Sequence, residues 1–176
     1  MIQKKICMVG PVSVGKTSLV ARYVHSLFSD KYLSTVGVKI DKKSLRVEGQ
    51  EVTLMLWDLA GDDDFQRLNT SYLRGASGYL LVADGSRRAT LDQALDIRTR
   101  VVKAVGSIPF VLVLNKSDLV KEWDIDEARI ATLTSQGWAV RRTSAKDGSG
   151  VEAVFLELAR LTLADGRRHS INGPAA

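Results

Sequence analysis

The chain holds one cysteine, Cys7, three prolines and few aromatic residues among its 176 positions. A lone cysteine excludes an internal disulfide, so the fold must close on an apolar core, and a reducing, cytoplasmic setting is expected. No apolar run approaches the roughly 18 residues of a membrane span. Met1-Ile2-Gln3-Lys4-Lys5 has no apolar leader stretch, position 2 is not the glycine that myristoylation needs, and Asn172-Gly173-Pro174-Ala175-Ala176 offers no cysteine to prenylate. No intrinsic membrane anchor is expected. The aromatics are not interleaved with the basic residues, which argues against a base-stacking platform and against nucleic acid as a partner. The formal charge of +5 is spread over Arg87-Arg88, Arg98, Arg100, Lys103, Arg141-Arg142 and Arg167-Arg168, and reads as solvated surface charge.

What remains is ordinary globular composition, in a length suited to one domain. Short Val/Ile/Leu-rich runs alternate with longer stretches of helical spacing, the pattern of βα units and an α/β fold with a mostly parallel sheet. Strands are predicted over Ile6–Val9, Gly37–Val47, Val52–Trp57, Tyr79–Ala83, Phe110–Leu114 and Trp138–Arg141. Helical spacing marks Lys16–His25, Leu91–Val105, Asp126–Gln136 and Val151–Leu163, and about five helices are expected on the two faces of a six-stranded sheet. Glu48-Gly49-Gln50 reads as a hairpin turn, which makes one edge strand antiparallel. The domain is expected to span residues 1–165, with a short flexible tail over 166–176. A monomer is expected.

Gly10-Pro11-Val12-Ser13-Val14-Gly15-Lys16-Thr17 matches G-x-x-x-x-G-K-[ST] between a predicted strand and a predicted helix. In that context the backbone N–H groups from Val12 to Ser18 and the helix N-terminus can cradle phosphates. Lys16 is suited to the β and γ phosphates, and the Thr17 hydroxyl to a hard cation such as Mg2+. Asn115-Lys116-Ser117-Asp118 follows another apolar run, at the carboxyl end of a predicted strand, where α/β sheets bind ligands. A carboxylate there accepts two N–H donors from guanine. Adenine lacks that pair and would leave the acid unpaired.

Five blocks in order carry a family resemblance: the phosphate loop, Thr35, Asp58-Leu59-Ala60-Gly61, Asn115–Asp118, and Thr143-Ser144-Ala145-Lys146. Residues 2 to about 165 resemble the small-G-protein P-loop fold of the Ras superfamily. Ser34-Thr35-Val36-Gly37-Val38, Leu56-Trp57-Asp58, Tyr72-Leu73-Arg74-Gly75-Ala76 and Val82-Ala83-Asp84 are most similar to the Rab branch. The resemblance implies a GTP/GDP switch that hydrolyses GTP with Mg2+ and meets effector, activating and exchange proteins. Thr17, Thr35 and Asp58 would serve the metal, Asp58 through a water. Thr35 and the Gly61 amide would touch the γ-phosphate in the two switch segments. Asn115 and Asp118 would read guanine, with the stems of Lys116 and Lys146 along the base. Ser144 and the Ala145 amide would lie beside it, and Phe28 would stand edge-on to it. Ile40, Trp57 and Tyr72 match an apolar triad at which Rab proteins meet effectors.

Two positions depart from the family pattern. Asp62 stands directly after the Asp-x-x-Gly block, where a glutamine commonly orients the attacking water; an ionised carboxylate cannot donate and would face a charged phosphate. Asp63 and Asp64 add negative charge beside it. Val12 places a side chain where family members need room for that glutamine and for an arginine from a partner. Intrinsic hydrolysis is expected to be no faster than about 10⁻⁴ s⁻¹. Two routes could restore it: Asp62 acting as a base, or catalytic groups supplied by a partner. A module that stays GTP-loaded is the nearest rival reading. A nucleoside kinase explains neither Thr35 nor Asn115–Asp118.

Overall fold

Residues 1–29, 37–59 and 70–171 are described in this computed structural model, the side chains through 168. The strands are β1 (Ile2–Val9), β2 (Val38–Val47), β3 (Gln50–Leu59), β4 (Gly78–Asp84), β5 (Phe110–Asn115) and β6 (Val140–Arg142). The helices are α1 (Lys16–His25), α2 (Arg88–Val105), α3 (Glu127–Ser135) and α4 (Val151–Ile171), with a 3-10 turn over Thr70–Leu73. Among the described residues there are thus four α-helices where about five were expected, and they are the four stretches whose apolar spacing is helical.

The sheet runs β2-β3-β1-β4-β5-β6, and among the described strands only the β2–β3 pairing is antiparallel. Chain order reverses around β1: the chain leaves it toward β3 and returns on its other side as β4. That reversal opens a crevice at the carboxyl ends of β1 and β4.

Alternation along the strands builds two cores. Ile6, Met8, Leu80, Val82, Val111 and Val113 join Leu19, Val20, Tyr23, Val154, Phe155 and Leu158 beneath α1 and α4. Cys7, Val9, Tyr79, Leu81, Leu112 and Leu114 face Leu91, Ala94, Val101 and Leu133 of α2 and α3. β4 is buried at every position, as a central parallel strand covered on both faces must be. Tyr23 and Phe155 stack at 4.0 Å and 6°, joining α1 to α4. Burial pushes the Cys7 thiol up to about 11, with Lys5 opposing, so the lone cysteine is a core residue and not a nucleophile.

The hairpin turn is shorter than the sequence predicts. Glu48 and Gly49 both take positive φ, 51° and 80°, and Gln50 already belongs to β3. Two consecutive left-handed residues give the tight turn whose twist matches antiparallel strands. The C-terminal end differs more. α4 continues through Gly166 to Ile171, past the point at which the tail was expected to begin. Arg167 donates to Glu48 of the hairpin turn at 3.2 Å, a tertiary contact that the local sequence does not reveal.

Candidate functional site: a nucleotide cleft at the carboxyl ends of the sheet

The loop after β1 turns directly into α1, whose first residue is Lys16. Gly15 takes φ 101°, and a Cβ there would sit 2.3 Å from Asn115 Nδ2. Glycine is therefore required twice over, by its conformation and by the side chain crossing above it. Asn115 Nδ2 donates to the Val14 carbonyl at 3.0 Å, so the putting together of the two motifs is direct: the residue that ends β5 is hydrogen-bonded to the phosphate loop.

Lys16 is almost fully buried and donates to the Gly10 and Pro11 carbonyls at 2.9 and 2.8 Å. Burial pulls its ammonium down to about 8, opposed by the Asp58 carboxylate. An anion in the loop favours the charged form and offsets that cost. The Thr17 hydroxyl donates to Asp58 Oδ2 at 2.6 Å, and Asp58, at the end of β3, is buried. A hydroxyl and a carboxylate in contact at the mouth of an anion-binding loop are hard oxygen donors that suit Mg2+.

On the other side of the cleft, Asn115 Oδ1 accepts from the Thr143 hydroxyl at 3.0 Å and from the Ala145 amide at 3.3 Å. Ser144 Oγ donates to Asp118 Oδ1 at 2.8 Å and accepts from the Asp147 amide at 3.1 Å. Both Asn115–Asp118 and Thr143–Lys146 thus converge, with the Asp118 carboxylate half-buried and held at one oxygen. Lys146 is exposed, and Phe28 lies just beyond α1, 37% exposed. Ser18 sits in the first turn of α1. Thr35, Gly61 and Asp62 lie outside the described residues.

Three further side chains of the cleft, Asp84, Arg87 and Arg22, are not marked as such by the sequence motifs. Asp84 ends β4 with 1% exposure and accepts from Lys116 Nζ at 2.8 Å, Arg87 Nε at 2.9 Å, and the Ser86 amide and hydroxyl at 2.9 and 2.6 Å. Burial alone pushes its pKa up, but the hydrogen bonds from Lys116, Ser86 and Arg87 outweigh it and hold the carboxyl below the usual carboxylate range. Arg87 extends from this acid to the carbonyls of Val12 and Ser13. Composition alone places Arg87 among solvated surface charges; the fold brings it to the phosphate loop. Arg22 of α1 donates to the carbonyls of Ala145, at 2.7 Å, and of Lys146, tying helix to base loop across 123 positions. An acid closing an apolar strand, with Ser two and Arg three residues on, is a readable local signal; nothing local points to Arg22.

With this geometry in place, residues 5–164 match the model of the Ras family. The chain belongs to the Ras family of small GTPases. It is 33% identical over 158 residues to the Ras-related protein Rab-1D of Dictyostelium discoideum, covering 89% of this chain and 78% of that one. It is 32% identical over 180 residues to Rab7 of Glycine max, covering 95% and 85%, and 30% identical over 175 residues to Rab-13 of Canis lupus familiaris, covering 98% and 86%. This Rab-like small GTPase is therefore a GTP-binding switch protein with GTP hydrolysis as its activity. The apolar triad of the GTPase is also assembled: Ile40, 45% exposed, pairs with Trp57 across β2 and β3, and the Trp57 and Tyr72 rings lie 6.4 Å apart, with Lys5 Nζ 3.6 Å above Trp57. Trp57 and Tyr72 are half-buried. No described helix is long and apolar enough to cross a membrane.

Proposed function

We propose that the protein is a cytoplasmic GTP/GDP switch with slow intrinsic hydrolysis, which engages effectors through its switch segments in the GTP state. The observation that carries this reading is the contact of Thr17 with Asp58 beside the buried Lys16, on a loop bonded to Asn115. Thr17 would bind Mg2+ directly and Asp58 through a water, with Thr35 completing the set. The ion would draw charge from the β and γ phosphates. The amides from Val12 to Ser18 and the Lys16 ammonium would hold the phosphates in line for attack. Asp118 would take the two guanine donors, while Asn115, Ser144 and Ala145 hold the base loops around it and Lys116, Lys146 and Phe28 pack the ring.

At Asp62 the reading departs from fast catalysis, because a carboxylate there neither donates to the developing charge nor tolerates the γ-phosphate beside it. Val12, on the phosphate loop, adds bulk where that glutamine and a partner's arginine would need room. Single-turnover GTP hydrolysis by the Mg2+-loaded protein beside its Asp62→Gln variant tests this. Turnover near or below about 10⁻⁴ s⁻¹ that glutamine accelerates is the expected result. Brisk turnover that glutamine abolishes would make Asp62 itself catalytic. Effector, activating and exchange proteins are the partners this cycle calls for, and the Ile40, Trp57 and Tyr72 surface offers aromatic anchors for them.

A further inference from the structure

We propose that Arg87 is a positioning residue of the phosphate loop, holding the peptide planes of residues 12–14 so that their amides face the phosphates and nucleotide leaves slowly. The need for such a residue is local. Ser13 takes φ 64°, a left-handed conformation that is strained for a non-glycine residue and must be held by its surroundings. Its carbonyl accepts from Arg87 Nη2 at 3.1 Å and from Lys116 Nζ at 3.0 Å, and the Val12 carbonyl accepts from the same Arg87 nitrogen at 3.2 Å. In a trans peptide the C=O and the following N–H point in opposite directions. Cations that pin the carbonyls of Val12 and Ser13 therefore turn the amides of Ser13 and Val14 to the opposite side, the arrangement of an anion-binding nest.

Arg87 is itself rigidly placed. The turn after β4 is closed by Arg87 N–H to the Asp84 carbonyl at 3.0 Å, by Gly85 N–H to the Asn115 carbonyl at 2.8 Å, and by the Thr90 hydroxyl to the Arg87 carbonyl at 2.7 Å. Asp84 then fixes Nε, leaving Nη2 for the loop. One planar fork spans the acid through Nε and two carbonyls through Nη2, a separation of donors that the single ammonium nitrogen of a lysine at position 87 lacks. Lys116 belongs to the base-reading motif; Arg87 comes from outside all five sequence blocks.

The inference rests on residues 10–17 being the phosphate site. Release of a fluorescent GDP analogue from the Mg2+-loaded protein is measured for wild type, Arg87→Ala, Arg87→Lys, Ser13→Gly and the Ser13→Gly/Arg87→Ala pair, with Lys16→Met as reference. The Arg87 side chain is 47% exposed and Asp84 keeps Lys116 and Ser86 without it, so Arg87→Ala is expected to fold. Arg87→Ala is expected to speed release about tenfold, the size of one charge-assisted hydrogen bond, with Arg87→Lys close behind. In the Ser13→Gly background, where the left-handed turn costs nothing, removing Arg87 has a smaller effect. Release within about twofold of wild type for Arg87→Ala, full function in Arg87→Lys, or the same factor in both backgrounds would overturn the proposal. Wild-type retention of GDP by Lys16→Met would instead overturn the phosphate-site reading beneath it.

Discussion

Asp84 shows two opposing effects at one carboxyl group. Burial disfavours its charge, yet two cations and a serine make the charged form the stable one in the fold. Its folded pKa is thus below the unfolded value, so its stabilisation is present above about pH 4 and is lost as pH falls through the folded value. Asp84→Asn should lower stability by on the order of 2 kcal/mol at neutral pH, and the gap from wild type should close as pH falls through the depressed folded value. Urea unfolding of both proteins, in one nucleotide state across this range, checks it. The same scale separates what can be read locally from what cannot: Lys16, Thr17, Asn115 and Asp118 lie in contiguous motifs, whereas Arg22 acquires its role only by folding against Ala145.

Elements are set by periodicity at their centres and by tertiary contacts at their ends. α1 spans the stretch whose spacing is helical, because Gly15 starts it and a left-handed Ser26 stops it. α4 overruns its expected end, with Arg167 anchored on Glu48. In the hairpin turn, Gly49 has open space around it, so a methyl group meets no clash and Gly49→Ala pays only for positive φ. A loss of about 1 kcal/mol is expected, read as a shift in the denaturation midpoint with unchanged slope. Phe155 carries more. It is fully buried and stacked on Tyr23, and Phe155→Ala should cost about 3–5 kcal/mol by opening a cavity between α1 and α4. Equilibrium unfolding measures that directly.

For the molecule as a whole, the cleft draws on strands far apart in the chain: the loop after β1, Asp58 from β3, Asp84 from β4, Asn115–Asp118 from the end of β5 onward and the Thr143–Lys146 segment after β6. A bound guanine nucleotide would link the ends of the sheet, so it should stabilise the fold by mass action. At a hundredfold excess over Kd the gain is about 2.7 kcal/mol, on the order of 5–10 °C in melting temperature for a domain of this size. GDP with Mg2+ should produce this rise and ADP at the same concentration should not. Equal shifts from both nucleotides would remove Asp118 as the base reader.

Fold class, strand centres and the contiguous motifs are legible in the order of residues alone, because each depends on residues within one turn, strand or loop. Apolar alternation specifies a buried strand wherever it lies, and a glycine-rich loop ending in Lys-Thr can bind phosphate from its own backbone. The remaining features arise only on folding. That Asp84 serves as an anchor, that Arg87 is part of the phosphate loop and not surface charge, that Arg22 holds the base loop and that α4 reaches Ile171 all depend on contacts between segments distant in sequence. Their energies come from geometry and desolvation, which exist only once the strands have been ordered in the sheet.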